Sequence, residues 1–345
     1  MCSVNHKPTY STKEILLPIW ERALQRTSIR VTDNFFDLGG TPSSAIRLFA
    51  EIAEEFGRNF PAVSICVAPT IETLAGLLEQ PEPPRIPPLL LLKAGSENPS
   101  VFITHGLGGD VLGLTDLVRK IESRRPIYGM QVRGIDGIDE PLTSIEERAQ
   151  YYLNAIQSVQ PSGPYFLIGY SLGGLVTLEM AQRLAAGGER IALLAMLDSY
   201  PDKRYLSMVQ STLLSLRQNR RRAENRIVRA LSKKRSQSSG GTDKIQRYLQ
   251  SPSIAGLAQR MKDADFAASR GYRPRFYRGE VKFVRAAIAS YFPGNPTAVW
   301  AQLIQEFALE TTPGDHVGML TTRCEDLGAL LSRYLREADA AMSSE

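Results

Sequence analysis

Tyr165-Phe166-Leu167-Ile168-Gly169-Tyr170-Ser171-Leu172-Gly173-Gly174-Leu175, continued by an amphipathic run to Leu184, is the stretch that decides the fold. The apolar run Tyr165 to Gly169 reads as a buried strand, and the periodicity from Leu175 to Leu184 is helical. Between them the glycines around Ser171 let the backbone turn sharply and keep side chains away from the serine. Strand, tight turn and helix together place that hydroxyl at the apex of a bend, with a helix N-terminus close to any negative charge that develops there.

A serine hydroxyl is a poor nucleophile at neutral pH and needs a base within hydrogen-bond reach. The chain has three histidines: His6 in the N-terminal tail, His105 and His316. A serine at such an elbow is followed along the chain by an acid and then a histidine, the order of α/β hydrolases, which leaves His316 as the base. The acid must reach the second imidazole nitrogen from a strand end. Asp198, directly after the apolar run Ile191 to Leu197, meets that condition, and Val281 through Gln305 contains no Asp or Glu to compete with it. Asp315 abuts His316 and is poorly placed to align its ring, so it reads as a loop-shaping residue. The tetrahedral oxyanion of acyl transfer needs N–H donors. Leu172 N–H follows the nucleophile, and Leu107 N–H lies in the small-residue loop His105-Gly106-Leu107-Gly108-Gly109, which His105 is expected to shape. That loop is neither GxGxxG nor a P-loop, and the absence of HExxH or a Cys/His cluster predicts no metal.

Outward from the elbow, Val101 to Thr104, Ile127 to Val132, Ile191 to Leu197, Val281 to Ala286 and Phe307 to Thr311 are short apolar runs, most of them separated by helical segments such as Ile145 to Val159. Alternation of this kind predicts a mainly parallel sheet with helices on both faces. Residues 201–278 lack a strand pattern and read as a helical insertion. Residues 81–88 hold five prolines, an extended linker that separates residues 1–80 from 89–345. The first part has three helical patterns, around Ile15 to Leu24, Ile46 to Phe56 and Ile71 to Leu78, and predicts a small all-α bundle.

Composition excludes several classes. With 43% hydrophobic and 22% charged residues in 345, the chain reads as globular, and no apolar run approaches the roughly 20 residues of a bilayer span. The N-terminus shows no apolar signal region, so a cytoplasmic location is expected. Cys2, Cys66 and Cys324 form no disulfide framework. The net charge of +5 is local: Arg217 to Arg235 carries nine Lys/Arg against Glu224, and no interleaved aromatics suggest nucleic acid. The same stretch, with Leu206, Val209, Leu213, Leu216, Ile227, Val228 and Leu231, reads as amphipathic helix followed by a mobile loop, Ser236 to Gly241.

Both halves resemble one arrangement, the C-terminal peptidyl carrier and type I thioesterase of a nonribosomal peptide synthetase. The thioesterase likeness spans about Pro88 to Arg333 and rests on Phe102 to Gly109, Pro126 to Gln131, Gly134-Ile135-Asp136-Gly137, Glu140 to Glu146, Gly163-Pro164-Tyr165, Gly169 to Gly174 and Gly314-Asp315-His316. The resemblance implies an α/β hydrolase with a helical lid at about 201–278, preceded by a carrier-like bundle. It also implies hydrolytic or cyclising release of an acyl or peptidyl chain from a phosphopantetheine thioester, with the triad on Ser171, Asp198 and His316. Upstream synthetase modules would be partners. Editing of mischarged carriers, acyl-CoA or ester hydrolysis, and assembly-line docking stand as alternatives.

The carrier likeness spans about Thr12 to Gln80, centred on Asp33-Asn34-Phe35-Phe36-Asp37-Leu38-Gly39-Gly40. Such carriers read Gly-Gly, one residue, then the serine that receives phosphopantetheine. Here that position is Pro42, which has no hydroxyl. Ser43 is one step later, a rotation of about 100° on a helix, and Ser44 is a third possibility. Either Ser43 is modified by a phosphopantetheinyl transferase in an altered geometry, or the unit docks without carrying substrate.

Overall fold

In the computed structural model, which describes residues 10–205, 240–288 and 295–344, contacts separate two compact units. One holds the described residues up to Ile86 together with Gly240–Gly256; the other holds those from Pro87 and from Leu257 onward.

In the first unit, α1 (Thr12–Leu24) begins at a capping box between Ser11 and Glu14, and α3 (Ile71–Glu79) at one between Thr70 and Thr73. Helix α2 (Pro42–Phe56) starts at Thr41, with Pro42 in its first turn where a missing N–H costs nothing. The apolar faces meet around Trp20, Phe35 and Phe49, all fully buried, with the Trp20 and Phe35 rings edge-to-face at 5.3 Å. Phe35 N–H donates to Pro69 O at 2.7 Å, which ties the irregular loop before α2 to the bundle. A short 3-10 turn, Ala62–Cys66, is too brief to show a period in the sequence.

The insertion departs from expectation here. Its helix Gly240–Gln250, α7, belongs to the first unit and packs along α2. Glu54 of α2 pairs with Lys244 and Arg247 of α7, and the buried Tyr248 donates its hydroxyl proton to Phe60 O at 2.7 Å. Gly240 and Gly241 thus start a helix and not a loop. The basic stretch Arg217 to Arg235 and the apolar residues interspersed with it lie outside the described residues, as do Ser236 to Ser239.

The second unit is built on a sheet in the order β1-β3-β2-β4-β5-β6-β7 among the described residues. These strands are Leu89–Lys93, Val101–Thr104, Ile127–Met130, Tyr165–Tyr170, Ile191–Leu197, Tyr277–Ile288 and Ile304–Asp315, numbered β1, β2, β3, β4, β5, β6 and β7 in chain order. All pair in parallel except β1, an antiparallel edge strand made from the leucine block that carries no alternation. The third strand stops at Met130, short of Val132. Side chains alternate between two cores: Tyr165 and Leu167 face α5 (Ile145–Val159) and α6 (Leu172–Ala186), while Phe166 and Ile168 face α4 (Thr115–Lys120) and the final helix, Cys324–Ser343. Between β5 and β6 runs Pro252–Gly271, here α8, which belongs to this unit from Leu257 onward, with Leu257, Met261, Ala264 and Ala268 buried. No helix of the described residues is long and apolar enough to cross a membrane. Parallel strands bring the loops after β2, β4, β5 and β7 to one edge of the sheet, where an open α/β sheet forms its binding crevice.

Candidate active site

Ser171 follows the last residue of β4 with φ +54°, a left-handed value that an L residue adopts only under constraint from its surroundings. Its N–H donates to Leu197 O at 2.8 Å, which pins the bend to the neighbouring strand. Glycine is required around it. A Cβ on Gly173 would run into the His105 carbonyl oxygen, and one on Gly169 into the Thr177 hydroxyl, so the strand-to-helix turn closes only with hydrogen at both positions.

Asp198 leaves β5 directly beside the elbow, because Tyr170 and Leu197 are register partners. It too is left-handed, φ +45°, and its N–H is held by Val284 O at 2.7 Å. His316 follows β7. The two loops bring Asp198 Oδ2 to 2.7 Å from His316 Nδ1, and His316 Nε2 lies 3.1 Å from Ser171 Oγ. A carboxylate only accepts, so Nδ1 carries the proton and Nε2 offers its lone pair to the serine hydroxyl. The serine, imidazole and carboxylate thus form a relay able to move a proton off Ser171.

Three further residues hold the relay. Tyr170 stacks on the His316 ring, centroids 4.8 Å apart, and donates its hydroxyl proton to His316 O at 2.7 Å. Tyr200 hydrogen-bonds Asp198, and burial first, then the neighbouring carboxylate charge, push its pKa well up, so it stays a donor. Asp315 accepts from Gly318 N–H at 2.7 Å and shapes the loop carrying His316. Tyr170 occupies an unspecified place in the Gly-x-Ser-x-Gly pattern, and nothing in the sequence distinguishes it.

The loop after β2 approaches the elbow so closely that a Cβ on Gly106 would sit 3.0 Å from Ser171 Cβ. His105 Nδ1 lies 2.7 Å from Gly106 O and Nε2 3.1 Å from Tyr152 Oη. The carbonyl accepts, so Nδ1 carries the proton and Nε2 accepts from Tyr152. Burial pulls the His105 pKa down to about 4, which keeps the ring neutral. Gln131 bonds Gly109 O through Nε2 and accepts Val111 N–H through Oε1 at 3.1 Å. Gly108 N–H donates to Asp265 Oδ2 at 2.6 Å; that carboxylate is fully buried and reaches the loop from α8. Among the described residues no group of three or more His, Cys, Asp or Glu side chains is placed to hold a metal ion.

In the first unit the hydroxyls after the glycine pair differ in their surroundings. Ser44 is 4% exposed and closes a reciprocal cap: its Oγ accepts Thr41 N–H at 2.7 Å and donates to Thr41 O at 2.9 Å. Ser43, one residue earlier, is exposed.

Two families match this chain: the thioesterase domain over residues 99–336, and the phosphopantetheine attachment site over residues 14–78. A dimodular nonribosomal peptide synthase of Bacillus subtilis (strain 168) is 36% identical over 196 residues, 56% of this chain and 8% of that protein. The malpinin synthetase of Mortierella alpina is 29% identical over 287 residues, 82% of this chain and 4% of its relative. An indigoidine synthase of Streptomyces lavendulae is 36% identical over 186 residues, 53% of this chain and 14% of that one. The chain therefore spans only a small part of these relatives. Among solved structures, a four-domain nonribosomal peptide synthetase bound to AMP and glycine superposes on 96% of this chain, using 27% of its own, with a TM-score of 0.61 at 20% identity. The type II thioesterase of the yersiniabactin pathway covers 73% of this chain and 99% of its own, TM-score 0.53 at 15% identity. At such identities the structures establish the α/β-hydrolase fold alone.

Proposed function

We infer that this chain, which belongs to the thioesterase domain family, releases acyl or peptidyl groups from thioesters at the end of a nonribosomal peptide assembly line, through an ester on Ser171. The observation that carries this reading is the relay in which one imidazole lies 3.1 Å from Ser171 Oγ and 2.7 Å from Asp198.

As Ser171 Oγ attacks the thioester carbonyl carbon, its proton passes to His316 Nε2, and Asp198 holds the imidazolium in orientation without taking that proton. The carbonyl electrons move to oxygen, where the N–H groups of Leu172 and Leu107 receive the charge; one such donor is worth about 3–4 kcal/mol. Collapse breaks the C–S bond, the sulfur takes the proton from His316, and the thiol leaves. Water, or a nucleophile within the acyl chain, then attacks the Ser171 ester with His316 again as base, and Ser171 regains its proton.

The family-matched first unit calls for phosphopantetheine, and the residues present can hold it in one way. Pro42 offers no hydroxyl and Ser44 is committed to the helix cap, whereas Ser43 presents an exposed one. Attached there, the group supplies a flexible thiol that bears the acyl chain. Incubation of the full chain with coenzyme A and a phosphopantetheinyl transferase should add one phosphopantetheine, and Ser43→Ala should abolish the gain. A chain whose mass stays constant removes Ser43 as an attachment point and leaves the unit a docking or vestigial domain.

The enzymatic reading is tested by adding octanoyl-N-acetylcysteamine to the full chain and following thiol release, then mapping a fluorophosphonate label. Thiol release with the label on Ser171 is expected. Absence of both, on this probe and on octanoyl-CoA and octanoyl esters alike, overturns it.

A further inference from the structure

We propose that Asp265, on the helix contributed by the insertion, is a positioning residue for the reaction: it fixes the loop that presents Leu107 N–H to the oxyanion. The proposal rests on the reading of Ser171 as nucleophile.

The loop Gly106–Gly109 has little means of holding its own shape. Gly108 and Gly109 sit at φ +101° and +77°, and although Gly106 and Gly109 are buried, Leu107 and Gly108 are exposed, so packing does not restrain those two. Three side chains supply the restraint from outside. His105 Nδ1–H holds Gly106 O, which belongs to the same peptide plane as Leu107 N–H. Gln131 holds Gly109 O. Of the two peptides between them, the one next to the oxyanion donor, Leu107 C=O to Gly108 N–H, is caught through its N–H by the carboxylate of Asp265 at 2.6 Å. Rotation of that plane would be shared with its neighbour across the Leu107 φ and ψ angles and would swing the oxyanion donor.

Asp265 is itself prepared for this. It is 0% exposed and pairs at 2.5 Å with Arg148 of α5, which is 2% exposed and is itself oriented by donating Nη2–H and Nε–H to Leu142 O at 2.8 and 2.9 Å. A buried ion pair contributes little net stability compared with an apolar pair of similar size. What a carboxylate provides here, and a leucine would not, is an acceptor aimed at Gly108 N–H. His105 and Gln131 belong to the central sheet, at the ends of β2 and β3, whereas Asp265 comes from the insertion. Seating of α8 therefore completes the loop.

Removing one member of the pair strands a buried charge and confuses folding with function, so the test uses two double variants. R148M/D265N discards the ion pair and keeps an amide oxygen for Gly108 N–H; R148M/D265L discards both. With octanoyl-N-acetylcysteamine as substrate, the Asn variant should keep kcat within about threefold of the parent. The Leu variant should lose kcat about 10- to 100-fold with KM changed less than threefold. Octylboronic acid, which forms a tetrahedral adduct on the serine with an oxygen in the oxyanion position, should bind the Leu variant more weakly by the same factor. Equal kcat in the two variants, or a loss confined to KM, overturns the proposal. A measurement on the parent chain needs no variant: hydrogen exchange should find the exposed Gly108 amide protected, and exchange at the rate of a free amide also overturns it. If the parent itself releases no thiol and takes no label on Ser171, the premise has failed instead.

Discussion

Two helix starts in this chain follow closely on glycine and carry a serine, Ser44 in the first turn of α2 and Ser171 just before α6, and the two hydroxyls are treated in opposite ways. At Thr41-Pro42-Ser43-Ser44 the backbone is relaxed: Thr41 is extended, Pro42 suits the first helical turn, and the Ser44 hydroxyl satisfies the helix end. At Gly169-Tyr170-Ser171-Leu172-Gly173 the serine is itself the residue before the helix, yet its side chain makes no cap bond and its backbone is left-handed. Strain withdraws that hydroxyl from local hydrogen bonding and turns it toward His316 at 3.1 Å. On the proposed function, the reactivity of Ser171 would follow from denying a serine its usual helix-capping partner and providing a base.

The largest effect that can break the comparison is on turnover. Ser171→Ala should lower kcat by about 10⁶-fold, and Asp198→Asn by about 10⁴-fold because the imidazole then rests in the wrong tautomer. Both should leave the melting temperature within a few degrees, since each removes chemistry from a scaffold that survives. A thiol-release assay beside a thermal melt decides it: residual activity near the parent's in either variant would remove the contrast between the two serines.

The next effect is on stability. Gly173→Ala places a methyl against the His105 carbonyl oxygen, a backbone atom that cannot swing aside, and should cost about 3 kcal/mol. Gly39→Ala meets nothing within 4 Å and pays only for its φ of +90°, about 1 kcal/mol. Similar costs for the two in denaturant titrations would mean that the elbow is not the tighter loop.

Acid separates the regions next. His105 titrates at about 4 when folded against 6.5 when unfolded, so the unfolded chain binds more protons between those values and stability falls as pH drops through the window. At pH 5 the His105 share of that loss should be about 2 kcal/mol, opposed by Asp110, whose carboxyl burial pushes up to about 6, so it is read as the difference between the parent and His105→Gln in the pH dependence of stability. The hydroxyl cap at Thr41 and Ser44 has nothing to titrate there, so Ser44→Ala should leave the slope unchanged.

Much of the hydrolase unit is legible in the sequence because its signals are local. The elbow shows a strand, a turn and a helix within twenty residues, and Ile145–Val159 has the bounds its periodicity announces. The histidine census isolates His316 without reference to distance. What escapes is non-local or featureless. Leu89–Lys93 is an edge strand with no alternation, visible only by its pairing to β3. Tyr170 acts through a ring stacked on a residue far along the chain. Asp265 does leave a trace, an acid beside the apolar spacing Leu257, Met261, Ala264 and Ala268, yet its partner Arg148 lies on another helix and no local pattern joins them. The docking of Gly240–Gln250 on α2 is likewise non-local: the buried Tyr248 bonds Phe60 O, and Glu54 pairs with Lys244 and Arg247, ordinary charges when read in sequence.

The smallest effect concerns the relaxed serines. Ser44→Ala removes one half of a capping box, in which Thr41 N–H loses its acceptor and the Ser44 N–H bond to Thr41 Oγ1 at 3.2 Å is left alone. Such losses cost about 1 kcal/mol, or roughly 4–8 °C in the melting temperature of a unit this size. Because the hydroxyl is buried in the cap, the same variant should still gain one phosphopantetheine in the transferase assay, whereas Ser43→Ala should not. A Ser44→Ala chain that melts normally but stays unmodified would move the attachment point from the exposed hydroxyl to the buried one. It would also show that the helix start opens during modification, so that the cap seen at Ser44 is no bar to chemistry there.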